Sequence, residues 1–187
     1  MKKEIYEKII SKKEFSQLPE KDVEFAWNHF EKREVGDEEK IRLTRDLLRK
    51  VFSVFTSSKL LNVKISDKKS AEEILKKHIS TRERFDFYGE VYRRLLKNYS
   101  NLTIFDLGCG VNGFSYGFFP KNTIYIGIEA IGQLVDLQNY YFEKNNLNGK
   151  CYHLSLFELA KLKKYLKQDV SSQINLLPFG SKLPISN

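Results

Sequence analysis

A short run, Thr103-Ile-Phe-Asp-Leu107, ends directly in Gly-Cys-Gly, and a second run, Thr123-Ile-Tyr-Ile-Gly-Ile-Glu129, follows after residues 108–122. Both runs are rich in β-branched and aromatic side chains, too short for ordinary helices and bounded by turn residues, so they read as strands. The segment between them is too long for a tight hairpin. It has room for a crossover with a short helix over Val111 to Phe119, which makes the pairing parallel. Residues 131–146 read as a helix, Lys150 to Ser155 as a third short strand and 156–168 as another helix. Strands that alternate with helices imply an α/β fold with about three parallel strands and helices on the sheet faces. No internal repeat is visible.

The turn after the first strand carries the chemistry. Gly108 and Gly110 permit a tight backbone turn and a close approach to a ligand. Glu129 lies 19 positions after Gly110, at the end of the second strand. Nucleotide-binding α/β folds place a carboxylate there to take ribose hydroxyls. A Gly-x-Gly-x-x-Gly string, Gly108 to Gly113, is formally present, and the phosphate-loop lysine of nucleoside triphosphate sites is not. Asp106, two residues before the first glycine, makes the string Asp-Leu-Gly-Cys-Gly resemble an S-adenosylmethionine loop more than a dinucleotide one. The bland alternative is a structural turn with a surface glutamate.

The front of the chain differs in character. Residues 1–100 hold 24 Lys/Arg against 18 Asp/Glu, a net charge of +6, whereas 101–187 carry a net +2. An overall charge of +8 suggests an anionic partner such as nucleic acid, or simply a basic protein. Residues 2–15 and 19–34 read as charged helices. Residues 38–57 read as a stronger one, with Ile41, Leu43, Leu47, Leu48, Val51, Phe52 and Phe55 on one side and Arg42, Arg45, Arg49 and Lys50 largely on the other. That basic side is either a solvated face or an RNA-facing one. A helix over about 70–78 follows. Ser80 and Glu83 then have capping-box spacing for a helix with Phe85, Tyr88, Tyr92, Leu95 and Leu96 on one face. Its first turn carries Arg82 and Arg84, which the positive end of a helix dipole disfavours. Either they bridge to Glu83, Asp86 or Glu90, or one of them and the helix N-terminus hold an anion, for which the cofactor's α-carboxylate is the candidate.

Two cysteines, Cys109 and Cys151, make no disulfide framework. Neither a signal peptide nor an apolar run of membrane-spanning length is visible, so the expectation is a soluble, cytoplasmic protein without a membrane partner. His29, His78 and His153 are too scattered for a metal site, and Cys109 reads as packing within the glycine turn.

Two segments together carry a family resemblance: His78-Ile-Ser-Thr-Arg-Glu-Arg84, and Asp106 to Asn112 with Gly113 standing where a proline is usual. With the second strand they resemble the aminoglycoside-resistance family of 16S rRNA (guanine-N7) methyltransferases and its uncharacterised relatives, over roughly residues 70–160. The resemblance implies a Rossmann-like class I methyltransferase core with an all-α basic N-terminal domain before it. The division expected is 1–78 for docking on the small ribosomal subunit and 79–187 for S-adenosylmethionine. It further implies a cofactor site built from His78, Thr81, Arg82, Arg84, Asp106, Gly108, Gly110, Asn112, Glu129, Ala130, Ser155 and Leu156. In that set an arginine of the first segment holds the cofactor carboxylate and Glu129 takes the ribose; no catalytic residue is singled out.

Two departures from the family qualify this. Its third strand usually ends in an acid near the adenine, where this chain has Ser155, and Glu158 lies a turn further on. After Lys167 about 20 residues remain, too few for the further strands of a class I fold. The expectation is therefore a truncated or frame-disrupted core with its first strand at an edge prone to association. Alternatives are a methyltransferase of the same fold with another substrate, and a non-catalytic RNA- or ribosome-binding chain.

Overall fold

A computed structural model describes residues 1–52, 68–158 and 160–163. Three short segments open it: α1 (Lys3–Ile10), a 3-10 turn (Lys13–Phe15) and α2 (Glu20–Asn28). The longer α3 (Asp37–Phe52) starts on Asp37, Glu38 and Glu39 and has Arg49 and Lys50 in its last turn, the charge order that the helix dipole favours. Val51, expected on its apolar side, is exposed at 54%, while Ile41 and Leu48 are buried. Expectations for 53–57 and for 164–168 lie outside the described residues; Ala160 to Lys163 are helical.

The helix expected to begin at a Ser80 cap is arranged otherwise. α4 (Lys68–Lys77) runs into a four-residue turn, α5 (Ile79–Arg82), whose N-cap is His78 and makes no side-chain cap. The Ser80 hydroxyl bonds His78 Nδ1 at 2.7 Å instead of a backbone amide. The His78 carbonyl accepts the amides of Thr81 and Arg82, and the His78 amide is tied back to Ile74. A capping box needs a free helix start, and α4 leaves none. A 3-10 turn (Phe85–Phe87) then precedes α6 (Tyr88–Leu96). Tyr88 and Leu96 are buried, Phe85 and Tyr92 pack against the core, and Leu95, expected with them, is 40% exposed.

The sheet is as expected: β1 (Thr103–Leu107), β2 (Ile124–Glu129) and β3 (Gly149–His153), all parallel, in the order β1-β2-β3. Between β1 and β2 the chain forms a 3-10 segment (Asn112–Phe118), and α7 (Gly132–Lys144) joins β2 to β3. Register places Asp106 opposite Gly127, and Gly127 opposite Cys151. Apolar side chains of the front helices (Ile5, Phe15, Trp27, Leu48) and of the sheet region (Tyr125, Leu134, Cys151) lie in one buried cluster.

Gly127 is the tight point of that row. A Cβ there would stand 2.7 Å from Cys151 Sγ and 2.8 Å from Cys109 Sγ. The two sulfurs, 4.0 Å apart, close over the glycine, so Cys109 is packed as expected. Gly127→Ala is predicted to destabilise the fold by about 1–3 kcal/mol through overpacking. Urea unfolding would measure it, and an unchanged midpoint would mean that the thiols move aside freely.

Candidate cofactor site

The carboxyl ends of β1 and β2 meet at a loop whose shape depends on two glycines. Gly108 and Gly110 have φ of 70° and 52°, left-handed values that side chains with a Cβ rarely adopt. The amides of Gly108 and Cys109 both donate to the Ile128 carbonyl, at 2.8 and 3.0 Å. Glu129 fastens the turn from the next strand. Its Oε2 accepts the Gly110 amide at 2.8 Å, and its Oε1 accepts the Ile131 amide at 3.0 Å. Burial pushes the Glu129 carboxyl up, against the pull of those backbone donors.

The third glycine has a packing role. A Cβ on Gly113 would fall 2.2 Å from Gln138 Oε1, the atom that accepts the Gly113 amide. Gln138 Nε2 donates to the Gly110 carbonyl at 2.9 Å, so one buried glutamine spans the loop. Among apolar neighbours Leu134, Val135, Tyr141 and Phe142 on the buried face of α7, this lone amide at helical spacing is the sequence signal that would have found it.

Asp106 is the second buried carboxylate of the site, beside Glu129. Its Oδ2 accepts Asn112 Nδ2 and the Tyr125 hydroxyl, both at 2.7 Å. Its Oδ1 is buried with no hydrogen-bond partner among the described residues. Burial pushes its carboxyl up, and the two donors oppose that. Asn112 is in turn held from α6, where the Tyr92 hydroxyl donates to its Oδ1 at 2.8 Å; Ser115 Oγ lies 3.1 Å from that same oxygen. The Asn112 side chain is thus committed to Asp106. Tyr125, a hydroxyl in the middle of an apolar strand, was not foreseen.

The remaining expected residues gather less uniformly. Thr81 is buried and its hydroxyl donates to the Leu75 and His78 carbonyls. His78 is buried, which pushes its pKa down. Arg84 is exposed and its guanidinium folds onto the Ser80 carbonyl, so none of Glu83, Asp86 and Glu90, the carboxylate partners foreseen for it, is used among the described contacts. The Arg82 side chain is exposed and makes no hydrogen bond or ion pair among the described residues. Ala130 O lies 3.0 Å from His153 Nε2, which donates to it. Ser155 is fully buried and accepts the Phe157 amide at 3.1 Å, while Leu156 is 42% exposed and reaches the loop, 3.7 Å from where a Gly108 Cβ would stand.

On α3 the basic side is largely committed within the protein. Arg42 pairs with Glu39 and Asp46, Arg49 with Asp46 and Glu14, and Arg45 donates to the Ile9 carbonyl and Ser11 Oγ. Among the described residues no group of three or more His, Cys, Asp or Glu could hold a metal, and no helix is long and apolar enough to cross a membrane.

A ligand with a donor for Asp106 Oδ1, a shape that tolerates glycine backbone at close range and hydroxyls near Glu129 would suit these residues. S-adenosylmethionine has an α-ammonium and a ribose diol, so the residues present fit it. Asp106→Asn is predicted to separate stability from binding. Because the folded carboxyl titrates above its unfolded value, its contribution to stability is present below about pH 4 and is lost as pH rises through the folded pKa. The asparagine variant lacks that loss. Its stability relative to the parent should therefore rise between pH 4 and 7.5 in urea titrations, and a constant difference would contradict the assignment.

No protein-family model matches the chain, and no curated protein matches it. Solved structures do. The chain is similar to the 16S rRNA methylase RmtB, with a TM-score of 0.72 at 15% identity over 82% of this chain and 64% of that one. It is similar to an rRNA methylase from Escherichia coli, with a TM-score of 0.70 at 16% identity over 82% and 64%. It is also similar to the 16S rRNA methyltransferase RmtF, solved in complex with S-adenosyl-L-homocysteine, with a TM-score of 0.67 at 18% identity over 84% and 65%. The fold of the described residues is therefore that of these methyltransferases, a three-stranded parallel Rossmann-like sheet with helices before it. The chain spans 64–65% of the length of the solved structures it matches.

Proposed function

We propose that this chain, which shares the fold of 16S rRNA methylases, is an S-adenosylmethionine-dependent rRNA methyltransferase acting at guanine N7 in the small ribosomal subunit. The observation that carries the reading is Asp106, a buried carboxylate on β1 with one oxygen unpartnered among the described residues, just before the left-handed glycines Gly108 and Gly110. An unmet buried acceptor is costly unless a ligand supplies the donor.

In this reading the cofactor supplies an electrophilic methyl group on a sulfonium. Asp106 Oδ1 accepts from the α-ammonium, and Glu129, whose oxygens retain lone pairs beyond the two amide bonds, accepts from the ribose hydroxyls. Gly108 and Gly110 bring backbone close, and Asn112 holds Asp106 in place. The Arg82 side chain, exposed and without a partner among the described residues, takes the α-carboxylate. His78 and Thr81 pin its segment, and Arg84 is spent on Ser80. Ala130, Ser155 and Leu156 flank the adenosine. Guanine N7 already carries an in-plane lone pair, so no base need remove a proton, and holding it in line with the methyl supplies much of the rate.

Residues 1–78 serve to dock the chain on the subunit, and residues 79–187 hold the cofactor. The net charge of +8 supports phosphate-driven docking, which weakens steeply with salt. The protein would then act in the cytoplasm, where ribosomes are.

The test incubates the 187-residue chain with small subunits and radiolabelled S-adenosylmethionine. Label should enter 16S rRNA, with strand scission after borohydride and aniline marking N7-methylguanine. Glu129→Ala should weaken S-adenosylhomocysteine binding about tenfold or more by calorimetry, from loss of charge-assisted hydrogen bonds. Label in protein or small molecules instead of RNA would move the substrate elsewhere. Salt-sensitive subunit binding without transfer would reduce the chain to a binding protein.

A further inference from the structure

We propose that Asp22, on α2, is the adenine-selective group of the cofactor site, accepting a hydrogen bond from the 6-amino group of the bound adenine. The inference rests on the S-adenosylmethionine reading above.

Ligands of open parallel sheets lie across the carboxyl ends of the strands. Here the order β1-β2-β3 gives direction to that crossing. Asp106 on β1 takes the amino-acid end and Glu129 on β2 takes the ribose. The base must then lie over the end of β3, about one further strand spacing of ~4.8 Å along. Leu156 stands there with an exposed apolar side chain that reaches the glycine loop, suited to the face of a purine. What β3 does not offer is an acceptor for the exocyclic amine. Ser155 occupies the position, fully buried, with its oxygen turned to the Phe157 amide.

The acceptor arrives from 133 residues earlier. The Asp22 carboxylate lies beside the Ser155 side chain, and its Oδ2 is buried with no partner among the described residues. Burial pushes this carboxyl up; Ser155, its own backbone and His153 oppose that, and Glu158 adds to it. α2 is held at this end of the sheet by several contacts. The Gly132 amide donates to the Gln17 carbonyl at 3.3 Å. Phe25 stacks on Phe157 at 4.7 Å. The front helices thereby complete the far end of the site, and the acid absent from β3 is restored by tertiary packing.

Asp22 also sits in the first turn of α2, where an acid is favoured by the helix dipole. That role alone predicts a change in stability and no preference between ligands. The experiment therefore measures selectivity: calorimetric affinities of the full chain for S-adenosylhomocysteine and for its analogue with hydrogen in place of the 6-amino group. The parent should prefer the adenine form by about tenfold or more, since a site built to bond a donor rejects a ligand lacking it. Asp22→Ala should bind both with nearly the affinity of the analogue. Asp22→Asn, close in shape, should fold if the alanine variant does not, and should show a reduced preference. Equal preference in parent and variants overturns the inference. Failure of the folded parent to bind either ligand removes the cofactor reading itself, and the inference with it.

Discussion

A buried carboxylate with no cation beside it among the described residues governs the architecture of the sheet end. Asp106 is ionisable, almost wholly enclosed and opposite Gly127 in the register. Such a group is tolerated only where donors surround it. Tyr125 supplies one from the next strand and Asn112 the other from the loop, and Asn112 is braced by Tyr92 of α6. The chain therefore threads three separate elements through one polar cluster inside an otherwise apolar core. Its cost is offset by those two direct donors, while Oδ1 has no partner among the described residues.

The loop above it is fixed by complementary means. Glycines at left-handed φ let two successive amides point at Ile128, and Glu129 and Gln138 take the amide and the carbonyl of Gly110. Cys109, Gly110, Ile128, Glu129 and Gln138 are buried, so their bonds are made in a medium where leaving them unmade would be expensive. The loop is consequently set before any ligand arrives, and less ordering entropy remains to be lost on binding. The front helices extend the same logic. They share one apolar cluster with the sheet and place Gln17, Asp22 and Phe25 against its carboxyl end.

Much of this was legible beforehand because it is local. Strand lengths, the crossover, the glycine turn and the acid at the end of the second strand follow from periodicity and residue type, and β1, β2, β3 and α7 fall within a residue or two of where the pattern puts them. The helix start at Ser80 was misread for an equally physical reason. Capping-box spacing describes a free helix end, and α4 running into His78 removes that freedom. The arginines of α3 look available on a helical wheel, yet carboxylates on α3 and the preceding turn, with backbone carbonyls of α1, engage Arg42, Arg45 and Arg49.

By itself the amino-acid sequence determined the α/β class, the parallel pairing and the loop chemistry of Asp106, Gly108, Gly110 and Glu129, because short-range sterics and strand periodicity act over a few residues. Only the tertiary structure decided which polar groups meet. Tyr125 reaches Asp106 across two strands, Gln138 spans the loop from α7, and Asp22 comes to Ser155 from the far end of the chain. Those meetings depend on burial and on the removal of water from a shared core, quantities that no local pattern encodes.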